Sequence, residues 1–416
     1  INSLGTWFGL VALLVAVFDH THSALAVAGL TFAAEVLPAF VVPALVARVE
    51  ASRRRSELSG LYLFQAVTTA SLAVLLWHFW LPAVLLLAAL DGTAALASSA
   101  LLRAEIARAA RDQVELELGD GDPRLEEWAQ EAERRANAAR NVAFSVTFVL
   151  GPALGGAVVA AAGASDALFI DVGSFLLCGA LLVDLHPHVE EAGGDSVRTR
   201  LRAAWRHINE APSLRGLLLA EAVALVFFET GVPIEVTYAK ATLHAGDRGL
   251  GLLLTSWGVG AVLGSVVFAR LVRRPLAWML SAGTVAIGLG YVGFAVAPSL
   301  ALACVAALIG GIGNGLQMPS LISVVQRLTP QHLQGRMMGA VESLGALCRG
   351  IGLPLGGVLV ALSSPRLAFL VVGLGAVATT VALLRHSSGG AEPESDPDTG
   401  TSEVEGPAGV PASGVP

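Results

Sequence analysis

Apolar residues in this chain come in long unbroken stretches, without the period-2 or period-3.6 alternation of half-buried elements. A crossing helix needs about 20 apolar residues to span roughly 30 Å of hydrocarbon. Against that ruler twelve segments stand out: 1–18, 23–47, 58–77, 81–102, 141–163 and 166–185, then 214–238, 249–271, 276–296, 299–322, 335–362 and 366–385. Each is predicted to be a membrane-crossing helix, giving an all-α membrane protein. The polar connector HPHVEEAGGDSVRTRLRAAWRHINEAPS separates the first six from the second six. Residues 103–140 contain RDQVELELGDGDPRLEEWAQEAERRANAARN and read as cytosolic helices joined at the GDGDP turn. Residues 387–416, rich in Gly, Pro, Ser, Asp and Glu, carry too little apolar surface to fold and read as a disordered tail. The expected organisation is a six-helix half over 1–186 with the insertion 103–140, a cytosolic connector over 187–213, a second six-helix half over 214–386, and the tail.

Charge tests the segment count independently. The 416 residues are 54% apolar and only 14% charged, where soluble domains carry about 25% charge. Basic residues favour cytoplasmic loops. With the N-terminus placed inside, the inner loops hold Arg48, Arg53–Arg55, the arginines from 103 to 140, those from 198 to 215, then Arg270, Arg273, Arg274, Arg327 and Arg336. Of 26 cations only Lys240, Arg248 and Arg366 fall outside, and Arg349 lies within a segment. One segment more or less in mid-chain would invert every later loop. Both termini are therefore expected in the cytoplasm. The chain opens on Ile1 and enters its first apolar segment almost at once; the expectation is that a few residues precede it and that no signal peptide does.

The net charge of −7 includes no basic stretch interleaved with aromatics, which leaves nucleic-acid binding without support. Cys178, Cys304 and Cys348 all lie in apolar segments without a CxxC or Cys/His cluster, so neither a metal nor a disulfide framework is expected. DDxxD, HExxH, GxSxG and a nucleotide loop are absent from the sequence. No enzyme and no cofactor is expected.

The fifth segment reads LGPALGG, three glycines and a proline where a helix should be. Lipid gives helices no hydrophobic reason to associate, so small residues mark close contacts. Gly151 and Gly155 form GxxxG, Gly156 extends the smooth face, and Pro152 bends the helix. Gly260/Gly264 and Gly352/Gly356 repeat the spacing. Such a face serves either static packing or a rocking interface. The halves also echo each other: ALVARVEASRRR against VFARLVRRP, and GPALGGAVVA against GLPLGGVLVA, as in transporters built from repeats.

Ionisable groups inside hydrocarbon cost a few kcal/mol each and need a reason. The candidates are Glu35, Asp91, Asp171, Glu221, Glu229, Glu235, Glu342 and Arg349. Glu221 and Glu235 lie near helix ends and are expected to reach water, and Asp171 to hydrogen-bond its neighbours. Glu342 and Arg349 are two turns apart on one face; they pair either with each other or with other helices. A carboxylate deprived of water can load a proton on one side and release it on the other.

Twelve helices in two halves with a long central loop resemble the major facilitator superfamily. GPALGG resembles the G-P-x-x-G-G core that marks its drug:proton antiporters, although Thr147 holds a position where the extended motif has glycine. NVAFSVTFVLGPALGGAVVAAAGASDALFIDVGSFLL and VVQRLTPQHLQGRMMGAVESL are similar to the macrolide- and enterobactin-exporter-like branch. The family's G-x-L-x-D-R signature reads PALVAR here, with Pro43 and Ala47 in place of Gly and Asp. The resemblance implies that helices one, four, seven and ten line a central cavity. Asp91 and Glu229, with Glu35, Glu342 and Arg349, then serve the proton and substrate path, beside a wall of Trp7, Thr93, Phe227, Phe228, Asn314, Gln317 and Met318. Arg48, Arg270 and Arg336 would form the cytoplasmic gate. The implied activity is proton-coupled efflux of a lipophilic or amphipathic molecule (drug, antibiotic or siderophore) across a bacterial plasma membrane, by a monomer in the bilayer. A nutrient importer or facilitator on the same fold, or a transport-inactive sensor, are the alternatives.

Overall fold

The computed structural model describes residues 2–41, 57–119, 124–183, 205–271, 273–330 and 333–388. Its elements match the predicted segments. The first half holds α1 (Asn2–Thr21), α2 (Ala24–Thr31, continuing through a π-turn at Phe32–Val36 to residue 41), α3 (Glu57–Leu75), α4 (Leu81–Leu118), α5 (Leu125–Ala162) and α6 (Ala164–Leu181). The second half holds α7 (Pro212–Thr237, with a π-turn at Tyr238–Thr242), α8 (Gly246–Arg270), α9 (Leu276–Val296), α10 (Leu300–Arg327), α11 (Gln334–Leu362) and α12 (Pro365–Ser388). Among the described residues, ten helical stretches are long and apolar enough to cross a membrane. Segments five and twelve coincide with shorter apolar stretches, Leu150–Ala162 and Pro365–Thr380. Arg48, Arg53–Arg55, the PALVAR motif, most of the GDGDP turn, most of the connector and nearly all of the tail lie outside the described residues.

The insertion at 103–140 is a continuation of two crossing helices. α4 and α5 are each 38 residues long, about 57 Å at 1.5 Å per residue, nearly twice a hydrocarbon core. Their extensions lie side by side as an antiparallel arm. Arg111 ties it together, reaching Glu126 and Glu133 at 3.2 Å each. Gln130 and Arg111 beside Glu126 hold that carboxyl below the usual carboxylate range.

Within each half the helices meet along glycine seams, the packing that lipid demands. α8 lies on α10 through Gly260 and Gly264, where added Cβ atoms would drive into the Leu308 and Ile312 carbonyls. Gly352 and Gly356 seat α11 on Val226 and Thr230 of α7. An aromatic core of Trp257, Tyr291, Phe294 and Phe369 with Tyr238 fills the second half. Large aliphatic side chains such as Leu86, Leu219, Leu289, Val296 and Leu302 face outward, as lipid contact requires.

The halves touch most extensively through α5 with α8 and α2 with α11, with smaller contacts of α1 and α2 on α7. LGPALGG serves both kinds of contact. Gly151 and Gly155 receive Trp7 and Val11 of α1 within the first half, while Gly156 meets Gly251 of α8 across the divide. A Cβ on Gly156 would lie 2.7 Å from Gly251 Cα, so the halves approach backbone to backbone there. Gly156→Leu is expected to force them apart at this point, costing about 1–3 kcal/mol as overpacking does. In detergent its thermal midpoint should fall clearly below that of Gly60→Leu, whose Cβ meets open space; equal midpoints would refute the contact.

Candidate functional site

Three ionisable residues from three helices converge between the halves. Glu35 comes from α2 of the first half, and Glu229 and Arg349 from α7 and α11 of the second. Arg349 Nε lies 3.9 Å from Glu35 Oε2, and Arg349 Nη1 lies 3.7 Å from Glu229 Oε1. All three sit roughly 12–20 Å along their helices from the end carrying the α1–α2 connection, at 1.5 Å per residue, which is mid-membrane depth. The Glu229 side chain is 12% exposed, Arg349 35% and Glu35 46%. The separations exceed the 2.7–2.9 Å of charge-assisted hydrogen bonds, and buried Arg349 Nε meets no hydrogen-bonding atom among the described residues. The arrangement is a loosely spaced ion cluster.

The local sequence explains where these side chains emerge. Each is succeeded within five residues by a proline on its own helix: Pro38 after Glu35, Pro233 after Glu229, Pro354 after Arg349. Proline offers no N–H and crowds the carbonyl one turn back, so each charge sits where its helix departs from regular bonding. In α2 the departure is a π-turn, with the Leu37 N–H bonded to the Phe32 carbonyl instead of that of Ala33. Such turns are frequent at functional sites.

The second π-turn carries Lys240. Its ammonium bonds Asp19 of α1 at 2.5 Å and Asp247 of α8 at 2.7 Å, with only 10% of the side chain exposed. This bridge crosses from one half to the other at the end bearing the α1–α2 and α7–α8 connections. The described contacts between the halves, the Gly156–Gly251 approach, the Lys240 bridge and the α2–α11 seam, run from that end to the ion cluster.

The remaining candidates fall elsewhere. Asp91 Oδ1 accepts from Thr68 Oγ1 at 2.7 Å and Thr69 Oγ1 at 3.3 Å on α3, apart from the cluster. The reason is rotational: its neighbour Gly92 faces α2, and successive helical residues point about 100° apart. Asp171 is buried, bonded to Ser174 at 3.1 Å and facing Gly5 and Gly9 of α1. Glu221, expected to reach water, is 2% exposed, because α7 turns it into the second half beside Gln317. Gln317 itself bonds Thr284 of α9, and the Phe227 ring fills the gap left by Gly375 of α12. Both side chains are engaged in contacts within the second half. Glu342 is exposed two turns before Arg349, whose ion pairs with Glu35 and Glu229 are to other helices. Arg270 is exposed at the end of α8. Arg48 lies outside the described residues, as does the side chain of Arg336.

A family profile described as Major Facilitator Superfamily matches residues 217–412. The multidrug efflux pump Tap of Mycolicibacterium fortuitum is 27% identical over 252 residues, covering 58% of this chain and 60% of that protein. The uncharacterized MFS-type transporter YfiS of Bacillus subtilis is 27% identical over 264 residues, covering 60% and 63%. The chain thus spans about 60% of the length of the curated relatives it matches. A bacterial homologue of the iron transporter ferroportin, solved in its inward-facing state, superposes with a TM-score of 0.66 over 93% of this chain and 97% of that one, at 15% identity. The second half of the chain is thus similar to the Major Facilitator Superfamily, and the chain shares the fold of the solved transporter.

Family and relatives are transporters, not enzymes. For a chain built as two helical halves the decisive question is what joins them. The sequence alone singles out Glu35, Glu229 and Arg349 without assembling them. The prolines Pro38, Pro233 and Pro354 are the missed signal: three times over, a charge precedes a proline by three to five residues. Lys240 reads from sequence only as an outer-loop cation, whereas the structure makes it a bridge, with a direct consequence. Lys240→Met would leave Asp19 and Asp247 facing each other across the divide. A cysteine at Val15, which lines a small cavity beside them, is then expected to react several-fold faster with a membrane-impermeant maleimide. An unchanged labelling rate would mean the bridge does not hold that end shut.

Proposed function

We propose that this chain is a secondary active exporter, driven by protons, for lipophilic or amphipathic small molecules such as drugs, antibiotics or siderophores. The observation that carries the reading is the convergence of Glu35 and Glu229, one from each half, on a single guanidinium. Charges buried in hydrocarbon are tolerated when paired, and one guanidinium can neutralise only one of two carboxylates. The second is the place for a proton or for a cationic part of the cargo. Neutralising Glu229 leaves Arg349 with Glu35 across the interface; releasing that proton returns the competition. Binding and hand-over of a proton at this point therefore alter what ties the halves together, which is what alternating access needs.

The arginine-rich loops favour placing the α4–α5 arm and both termini in the cytoplasm of a bacterial cell. The Lys240 bridge then closes the outer side. Arg270, with Arg48 and Arg336, would flank the cytoplasmic mouth. Asp91 keeps a role in this proposal as a second proton acceptor inside the first half, since the hydroxyls of Thr68 and Thr69 can each donate or accept. A potential of about 100 mV is worth roughly 2.3 kcal/mol per charge, sufficient for an approximately fiftyfold gradient of cargo. The chain would work as a monomer in the bilayer.

Purified protein in proteoliposomes, given a pH gradient and ethidium as an amphipathic probe, tests the reading. Glu229→Gln is expected to lower gradient-driven ethidium transport by about tenfold or more, the scale of one lost ionic interaction, and Asp91→Asn by less. Both variants running at the wild-type rate would remove the proton assignment. A wild type that never moves ethidium with the gradient would contradict the substrate class and favour the importer or sensor readings.

A further inference from the structure

We infer that Gly92 of α4 is a positioning residue for Glu35: it seats the π-turn of α2 so that the carboxylate is aimed across the interface at Arg349. The inference rests on Glu35 belonging to the working cluster, as proposed above, and adds how its aim is set.

The sequence supplies both parts. Pro38 has no N–H, so the Ala34 carbonyl, one turn earlier, lacks its α-helical donor. α2 answers by widening to a five-residue turn, with the Leu37 N–H on the Phe32 carbonyl. Gly92 lies directly against the Ala34 carbonyl. A Cβ at Gly92 would drive into the Ala34 oxygen, would lie 2.9 Å from its carbonyl carbon, and would lie 3.1 Å from Pro38 Cγ. What Gly92 presents to that oxygen is a Cα–H, a weak donor. Any other residue forces α4 or the turn to move.

The π-turn also separates two contacts between α2 and α11. Before the turn, Gly357 of α11 packs on Ala28 and Leu25, where an added Cβ would lie 3.0 Å from each. Within the turn, Gly350 faces Val36, where an added Cβ would lie 3.4 Å from Cγ1, with Glu35 and Arg349 next to each. A π-turn holds one extra residue, so closing it into α-helix rotates the residues beyond the turn by about 100° relative to those before it. The first contact would survive such a change. The second, and the Glu35–Arg349 pair with it, would not.

Disulfide formation tests this without any cargo. Native cysteines are replaced by alanine, and cysteine pairs are placed at Val36 with Gly350 and at Ala28 with Gly357. Both pairs are expected to oxidise in membranes. Adding Gly92→Ala should slow the 36–350 pair by about fivefold or more, since disulfides tolerate little displacement, and leave the 28–357 pair unchanged. Pro38→Ala, which returns an N–H to the Ala34 carbonyl, should reproduce that selective loss and serves if Gly92→Ala fails to insert. If both pairs slow together, or neither does, Gly92 does not position Glu35. A separate transport assay of Glu35→Gln addresses the reading beneath it. Wild-type transport by that variant, with the selective loss intact, would remove the role of Glu35 while leaving the geometry.

Discussion

An ionised group in hydrocarbon must be paired, and the rest of this molecule is arranged around one such obligation. Arg349 stands at mid-membrane depth in α11 with Glu229 of its own half on one side and Glu35 of the other half on the other. A single intra-half pair would be structural cement. Splitting the anions between the halves makes the guanidinium a shared partner, and makes the joint between the halves depend on how many of its anions are charged. The second joint, Lys240 with Asp19 and Asp247, has the same design at the helix ends.

Backbone chemistry places these charges. Pro38, Pro233 and Pro354 interrupt the hydrogen bonding of the three helices beside the cluster, and π-turns carry Glu35 and Lys240 to the partner half. Because lipid does not push helices together, glycines then fix how near they come. Gly156 against Gly251, Gly357 against Ala28 and Gly92 against Ala34 are approaches that even one methyl group would obstruct. Ionic joints and glycine seams are complementary: the seams set distance without strong attraction, and the ions add attraction.

Ten of the crossing helices among the described residues were legible because a hydrocarbon slab sets a length that apolar runs either meet or miss, and Leu150–Ala162 and Pro365–Thr380 are shorter than that length. The arm at 103–140 was legible because its polar residues could not stay in that slab, though not that α4 and α5 run unbroken into it. Rotation about each helix axis was harder. Asp91 and Gly92 differ by one residue and face different neighbours, so an expected cavity carboxylate lies against Thr68 and Thr69 instead. Gln317, Phe227 and Glu221 turn into the second half for the same reason. A uniformly apolar segment has no hydrophobic stripe to report its facing, and a polar residue within it marks depth without direction. Charge near proline is the cue that does carry direction here, through the distortion the proline imposes.

The Glu35–Arg349 pair joins the two halves at mid-membrane depth. A double-mutant cycle on thermal stability in detergent at low salt, with Glu35→Gln, Arg349→Gln and the double variant, measures it directly. A coupling of about 1 kcal/mol or more, in the range of residues in contact, is the expected result. Additive effects within roughly 0.5 kcal/mol, as for independent sites, would contradict the account.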